Sequence, residues 1–172
     1  RDISRKVRVA KRTKGEAGKP VASMAPYGYM KPPGENDKWI IDEEAAEVVR
    51  RVFRMVVEGK TCWAIAKSLE RDQIENPTVH FARQGRGKWK DRTTFDHPYR
   101  WKEHVIYRML DRPEYLGHTV NFRSHTESYK DPTQVNHPKE EWMIFENTHE
   151  PIIDKETWDL AQKLRKTPRR VN

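Results

Sequence analysis

Basic side chains carry the first chemical information in this sequence. Arg5, Arg8, Lys11, Arg12, Lys14 and Lys19 stand within the first twenty residues, spaced so that successive cations could meet successive charges along a polyanion. Arg83, Arg86, Lys88, Lys90 and Arg92 form a second group, with Asp91 as the one acid in residues 83–92. A third group, Lys102, His104, Tyr107 and Arg108, with Arg112 just beyond, lies on a stretch with helical period. Arg and Lys can donate in pairs to the acceptor edge of a purine, which suits them to reading as well as to neutralising charge. Two readings stay open for Arg108: it faces a ligand, or it pairs with Glu103 or Asp111 and reads nothing. For the first group the plainer alternative is a solvated helix face.

Nucleophilic and metal chemistry find no comparable pattern. Ser4, Ser23, Ser68, Ser124 and Ser128 are the serines, and none sits in a nucleophile elbow or beside a plausible base. The seven histidines are His80, His97, His104, His118, His125, His137 and His149. No pair shows the H-x-x-x-H or H-E-x-x-H spacing of a helical zinc site. His149 reads as a turn or packing residue. The single Cys62 excludes an internal disulfide framework and a multi-cysteine zinc site. No catalytic residue, metal or cofactor is therefore expected. One catalytic alternative is a metal-dependent nuclease that uses Asp96, His97 and His104.

The charge balance supports the basic groups. The chain carries a net +8, of which residues 1–20 hold +6 and residues 164–172 hold +4, so the body between is slightly acidic. A near-neutral body with a basic arm suits a module that tracks a polyanion. Hydrophobic and charged residues each make up 35%, so the surface must be heavily solvated, and six Trp and six Tyr must supply much of the core. No apolar run approaches the length of a membrane span, and no signal-peptide pattern is present. A reducing, cytoplasmic setting is expected, with the chain at the nucleoid when bound to DNA. The start at Arg1 suggests a piece of something longer.

These groups need elements to hold them. Ile3, Val7 and Ala10 recur at helical spacing over 3–14, and Gly15, Gly18 and Lys19-Pro20 are expected to end that helix. Residues 15–26 read as a linker small enough to lie in a narrow groove. Trp39-Ile40-Ile41 reads as a short strand after a turn at 32–36. The clearest helix spans 42–58, with Asp42 as N-cap and an apolar stripe of Ala45, Val48, Val49, Val52, Phe53 and Val56, stopped at Gly59. Thr61 is expected to cap the next helix, with Cys62, Ile65, Ala66 and Leu69 inward. This pair has the look of a helix-turn-helix start. Residues 73–100 read as irregular, with Pro77 and Pro98 as breakers.

A third helix is expected over about 101–111, with Trp101, Val105, Ile106, Met109 and Leu110 inward and Lys102, His104, Tyr107 and Arg108 outward. Residues 115–122 read as a strand, 123–140 as a polar loop and 142–145 as the pairing strand. Asp154 is expected to cap a last helix to about Arg165. Trp39, Trp63, Trp142 and Trp158 read as core. Trp89 reads as a core anchor, with an exposed stacking ring as the alternative. Tyr27 and Tyr29 read as packing residues whose hydroxyls could reach phosphates.

In combination, five pieces in this order resemble the DNA-binding recombinase domain of the large serine recombinases, of the phage integrase and transposon resolvase type. They are Pro26-Tyr27-Gly28-Tyr29; Trp39-Ile40-Ile41-Asp42 running into Glu44-Ala45 and Val48-Val49-Arg50-Arg51-Val52-Phe53; Glu58-Gly59-Lys60 leading to Ile65-Ala66-Lys67-Ser68-Leu69; the run from Val105 to Gly117; and His149-Glu150-Pro151-Ile152-Ile153-Asp154 with Trp158. The chain departs from the family at Arg112, where Asn is usual, and in the basicity of 83–92. The family's catalytic domain with its nucleophilic Ser, and its Cys-rich zinc ribbon, have no counterpart in the sequence.

The expected fold is α+β: a helix-turn-helix-like helical core with a small antiparallel hairpin or sheet, preceded by a basic helical arm. The expected division is an arm and linker at 1–25, a DNA-binding domain at 26–166 and a basic tail at 167–172. The resemblance implies sequence-specific binding of a recombination half-site on double-stranded DNA, by a part of a site-specific recombinase that does no chemistry itself. It also implies a parent that is dimeric or tetrameric through its catalytic domain, with this part alone a monomer. A stand-alone helix-turn-helix regulator is the other binding alternative.

Overall fold

The computed structural model describes residues 2–126, 131 and 133–166. The expected tail at 167–172 lies outside them. The described residues hold six α-helices and three two-stranded ladders, an α+β architecture. They fall into two compact units. One comprises residues within Arg1–Ala25, Lys31–Ile40 and Pro113–Pro151; the other comprises residues within Pro26–Met30, Ile41–Arg112 and Ile152–Asn172.

The second unit is built on helix α2 (Glu43–Val57), whose stripe of Ala45, Val48, Val49, Val52, Phe53 and Val56 is buried as its period requires. Burying such Val and Phe side chains stabilises by about 1.5–3 kcal/mol each. Gly59, at φ +87°, supplies the left-handed stop. Helix α3 (Cys62–Arg71) follows, its Thr61 cap accepting from Ala64 N at 3.0 Å. Ile65, Ala66 and Leu69 face inward, but Trp63 does not: it is 59% exposed, because it falls on the flank of α3 opposite that apolar stripe.

Residues 73–100 are not all irregular. Pro77 begins helix α4 (Pro77–Arg83) instead of breaking one. Asn76 accepts from Thr78 N and Val79 N at 3.1 and 3.2 Å, and proline at the first helical position has no amide hydrogen to leave unsatisfied. Asp42 occupies the N-cap position of α2, but its side chain makes no capping bond. It accepts from His80 Nε2 at 2.7 Å and Gln84 Nε2 at 2.8 Å, so α2 is joined to α4 by a buried polar pair. Burial alone would raise the Asp42 carboxyl, and the bonds from His80 and Gln84 outweigh it and hold the group below its ordinary value.

Helix α5 (Glu103–Met109) is shorter than its sequence period suggests, and packs on α3. Trp101 precedes it, buried, with its indole N–H donating to Ile74 O at 2.9 Å. Helix α6 (Lys155–Lys166) packs on α2 and is capped by Asp154, which accepts from Thr157 N at 2.8 Å. Trp158 is half-buried and stacks on Phe53 with ring centroids 5.7 Å apart. A two-residue ladder of β1 (Tyr29–Met30) and β2 (Ile40–Ile41) leads into Asp42.

The first unit opens with helix α1 (Asp2–Glu16), which runs through Gly15 instead of stopping there. The stop is Gly18, at φ +78°. Strand β3 (Thr119–Asn121) pairs antiparallel with β6 (Met143–Phe145), Val120 opposite Ile144. Tyr115 and Leu116, expected in the strand, form a short 3-10 turn at Pro113–Leu116. The expected polar loop after Phe122 contains a hairpin of β4 (Ser124–Thr126) and β5 (Gln134–Asn136), closed by backbone pairing with little apolar alternation to announce it. Trp142 is half-buried, with its indole N–H donating to His137 O at 3.0 Å and the Arg123 guanidinium 4.6 Å from its ring centroid. Trp39 is buried, its ring 5.1 Å from that of His149.

Candidate nucleic-acid interface

In the second unit, α5 presents the strongest candidate. Ile106 and Met109 are buried and Val105 is half-buried, which leaves His104, Tyr107 and Arg108 exposed on the other side. With Cys62 and Glu103 they line a shallow groove of about 460 Å³. Arg108 makes neither of the ion pairs open to it in the sequence; Asp111 pairs instead with Arg165 at 3.6 Å. Lys102 is not on this face at mid-helix: it is the exposed N-cap, because the helix begins one residue later. Arg165, absent from the sequence-derived site, stands with its guanidinium 4.4 Å from the Tyr107 ring centroid. No local signal could have found that contact across 58 residues. Arg112 is half-buried at the end of this segment.

The loop after α4 divides its cations by role. Arg83 is exposed but bridges Glu44 and Glu75. Arg86 is half-buried, donating to Tyr29 O at 3.0 Å and Gln84 Oε1 at 2.8 Å, with its guanidinium over the Phe81 ring. Lys88, Lys90 and Arg92 are exposed. Trp89 is 44% exposed, not a core anchor, and its ring is approached by Lys88 at 5.0 Å and Arg92 at 5.6 Å. Tyr27 is buried against His80, Phe81 and Trp101, and so serves packing.

In the first unit, Arg5, Arg8 and Lys11 are exposed along α1, beside the equally exposed Ile3, Val7 and Val9. Arg12 is paired with Glu16 at 2.8 Å. Lys14 and Lys19 both pair with Asp37; the Lys14 bond is the larger influence holding that carboxyl below its ordinary value. The end of the arm is tied down by Asn121, which is 2% exposed. Its amide donates to Gly15 O at 3.1 Å and Lys19 O at 2.9 Å, and its oxygen accepts from Val21 N at 3.2 Å. Gly15 is required because a Cβ there would stand 2.3 Å from the Phe122 ring. Phe122 is held there by an unusual left-handed backbone at φ 59°.

Asp96, His97 and His104 do not come together as a metal site. The one group of His and carboxylate ligand atoms close enough to share an ion, among the described residues, is Glu44, Glu75 and His80. Arg83 already supplies a cation to both of its glutamates. Ser68 Oγ accepts from Arg51 at 3.1 Å and Ser124 Oγ from Gln134 at 2.6 Å. No helix among the described residues is long and apolar enough to cross a membrane.

The Recombinase family model matches residues 43–168, and the chain belongs to that family. Solved structures share its fold, among them the following two. An LSR–DNA complex superposes with a TM-score of 0.53 at 20% identity, over 93% of this chain and 38% of that one. A structure from work on the sequence requirements of the Listeria innocua prophage attP site gives 0.52 at 20% identity, over 93% of this chain and 51% of that one. The chain thus spans about half, or less, of the length of these two proteins.

Proposed function

We propose that this chain binds double-stranded DNA as the DNA-binding module of a site-specific serine recombinase, reading a half-site of the recombination sequence. The observation that carries this reading is the face of α5, where Arg108, His104 and Tyr107 stand exposed while Ile106 and Met109 fix the opposite side. A helix so pinned can lie in a major groove, with Arg108 donating to a guanine edge. The exposed cations of α1 and of the loop after α4 suit phosphates, which position a protein without specifying sequence. The kinship with an LSR–DNA complex and with a structure concerned with a prophage attP site supports the same partner. On this reading the module supplies the address, and strand cleavage through a serine–phosphate linkage belongs to the catalytic domain of the parent, which also sets its oligomeric state.

The test uses duplexes selected from a random pool, set against scrambled controls at one salt concentration. Arg108→Ala is expected to cost about 1–3 kcal/mol on the selected duplex and much less on the scrambled one. Lys11→Ala is expected to weaken both about equally. Equal losses for Arg108→Ala on both duplexes, or no loss, would remove α5 as the reader. Absence of any salt-dependent duplex binding by the chain would remove the function itself.

A further inference from the structure

The geometry points to Trp89 as a second, sequence-independent DNA contact: an aromatic wedge that packs on the sugar-phosphate backbone while Lys88 and Arg92 neutralise the phosphates beside it. The inference rests on the proposed function and adds to it a nonelectrostatic contact outside the α5 face. Trp89 is 44% exposed and, unlike the more exposed Trp63, is flanked by two cations, Lys88 and Arg92, so its ring and their charges form one mixed apolar and basic surface. The loop is not slack. Its entry is fixed by Arg86, whose amide donates to Phe81 O at 2.8 Å and whose guanidinium reaches Tyr29 O and Gln84. Gly85 and Gly87, at φ 68° and 78°, make the turn that a side chain would strain. Its exit is fixed by Arg92, whose amide donates to Trp89 O at 2.9 Å and whose Nε donates to Thr94 O at 2.8 Å. The ring is therefore presented from a braced turn.

Charge selects the partner. Lys88 and Arg92 lie 5.0 and 5.6 Å from the ring centroid, Lys90 is exposed between them, and Asp91 is the only acid in residues 83–92. The exposed Asp96 stands 4.0 Å from Arg92, which leaves Lys88 and Lys90 as the cations of the turn with no carboxylate partner among the described residues. An acidic polymer with apolar faces at regular intervals matches this arrangement, and the deoxyribose and phosphates of a DNA backbone alternate in that way. A contact to sugar carries no base information, so the role assigned is positioning, distinct from reading by α5.

The experiment titrates a mixed-sequence duplex with the full chain and with Trp89→Ala, Trp89→Phe, Lys88→Ala and Lys90→Ala across a salt series. Trp89→Ala is expected to weaken binding about tenfold, the scale of an aromatic contact to nucleic acid, equally on selected and scrambled duplexes. It is expected to leave the slope of log affinity against log salt unchanged, because the substitution removes no counterion-releasing charge. Trp89→Phe retains most of the affinity. The lysine variants are expected to lower the slope by about 0.9 each if each meets one phosphate. Unchanged affinity for Trp89→Ala alongside a weakened Lys88→Ala overturns the wedge and leaves the proposed function standing. So does a loss seen with single-stranded oligonucleotides and not with duplex. A lowered thermal midpoint shared by Trp89→Ala and Trp89→Phe would make the ring a packing residue and overturn the wedge as well. If no variant and no parent chain binds duplex, the proposed function falls and the wedge falls with it.

Discussion

At the scale of single residues, two buried polar groups carry more of this structure than their number suggests. Asn121 saturates three backbone groups of the segment 15–21 with one side chain. Asn121→Ala leaves those groups without their partner in a buried place and is expected to cost about 3 kcal/mol in urea unfolding. Asn121→Asp keeps the shape but cannot donate to Gly15 O and Lys19 O, so a similar loss is expected; near-wild-type stability for it would refute the clamp. Asp42 is the second group. Its carboxyl is depressed in the folded chain, so its contribution is whole above the ordinary carboxyl value of 3.8 and is lost as pH falls through the depressed value. The stability gap between the parent chain and Asp42→Asn is therefore expected to be widest near neutral pH and to close in strong acid. Urea midpoints over a pH series measure it, and a gap that widens in acid would contradict the assignment.

At the scale of elements, the helices with an apolar stripe are legible in the sequence, the seven-residue α5 included, and α4 is not. The stripe on α2, the Thr61 cap, Gly59 and the Asp154 cap all lie close together in sequence, so local rules suffice for them. Helix α4, also of seven residues, lacks such a stripe and begins at a proline, and its start is held by contacts that sequence spacing hides. Asn76 caps it and also donates through Nδ2 to His97 O at 3.2 Å, while its amide donates to Pro98 O at 2.9 Å. Asn76→Ala is expected to cost about 1–2 kcal/mol, at the upper end for a cap, by thermal or urea unfolding; a cost near zero would show that Pro77 starts the helix unaided. The β4–β5 hairpin is hidden for a different reason: it has almost no buried face to impose alternation. Trp63 and Trp89 are deceptive because size alone argues for burial, whereas exposure depends on which flank or turn carries the ring. The candidate site is legible as a set of cations. Which of them are spent on Glu44, Glu75, Asp37 or Tyr29 depends on partners up to 57 residues away.

At the scale of the whole molecule, the question is how much of the basic arm serves binding and how much serves the fold. Residues 1–11 carry a net +4, and Ile3, Val7 and Val9 among them are 59–79% exposed, so no core depends on this stretch. Residues 12–20 are different: Gly15 receives the Phe122 ring, Lys14 and Lys19 hold Asp37, and Asn121 binds the backbone of Gly15 and Lys19. Removal of residues 1–11 is therefore expected to leave the unfolding midpoint nearly unchanged. If the arm follows a DNA backbone, the same truncation lowers the slope of log affinity against log salt by about 0.9 for each phosphate that the shortened arm no longer reaches. Removal of residues 1–20 takes the clamp as well, and a lower midpoint or a broadened transition is expected together with weak binding. The two truncations separate charge from structure because only the second touches Asn121. An unchanged salt slope after removal of 1–11 would mean that the exposed cations of α1 meet no phosphates. The electrostatic part of binding would then have to come from Lys88, Lys90 and Arg92 and from the neighbourhood of α5.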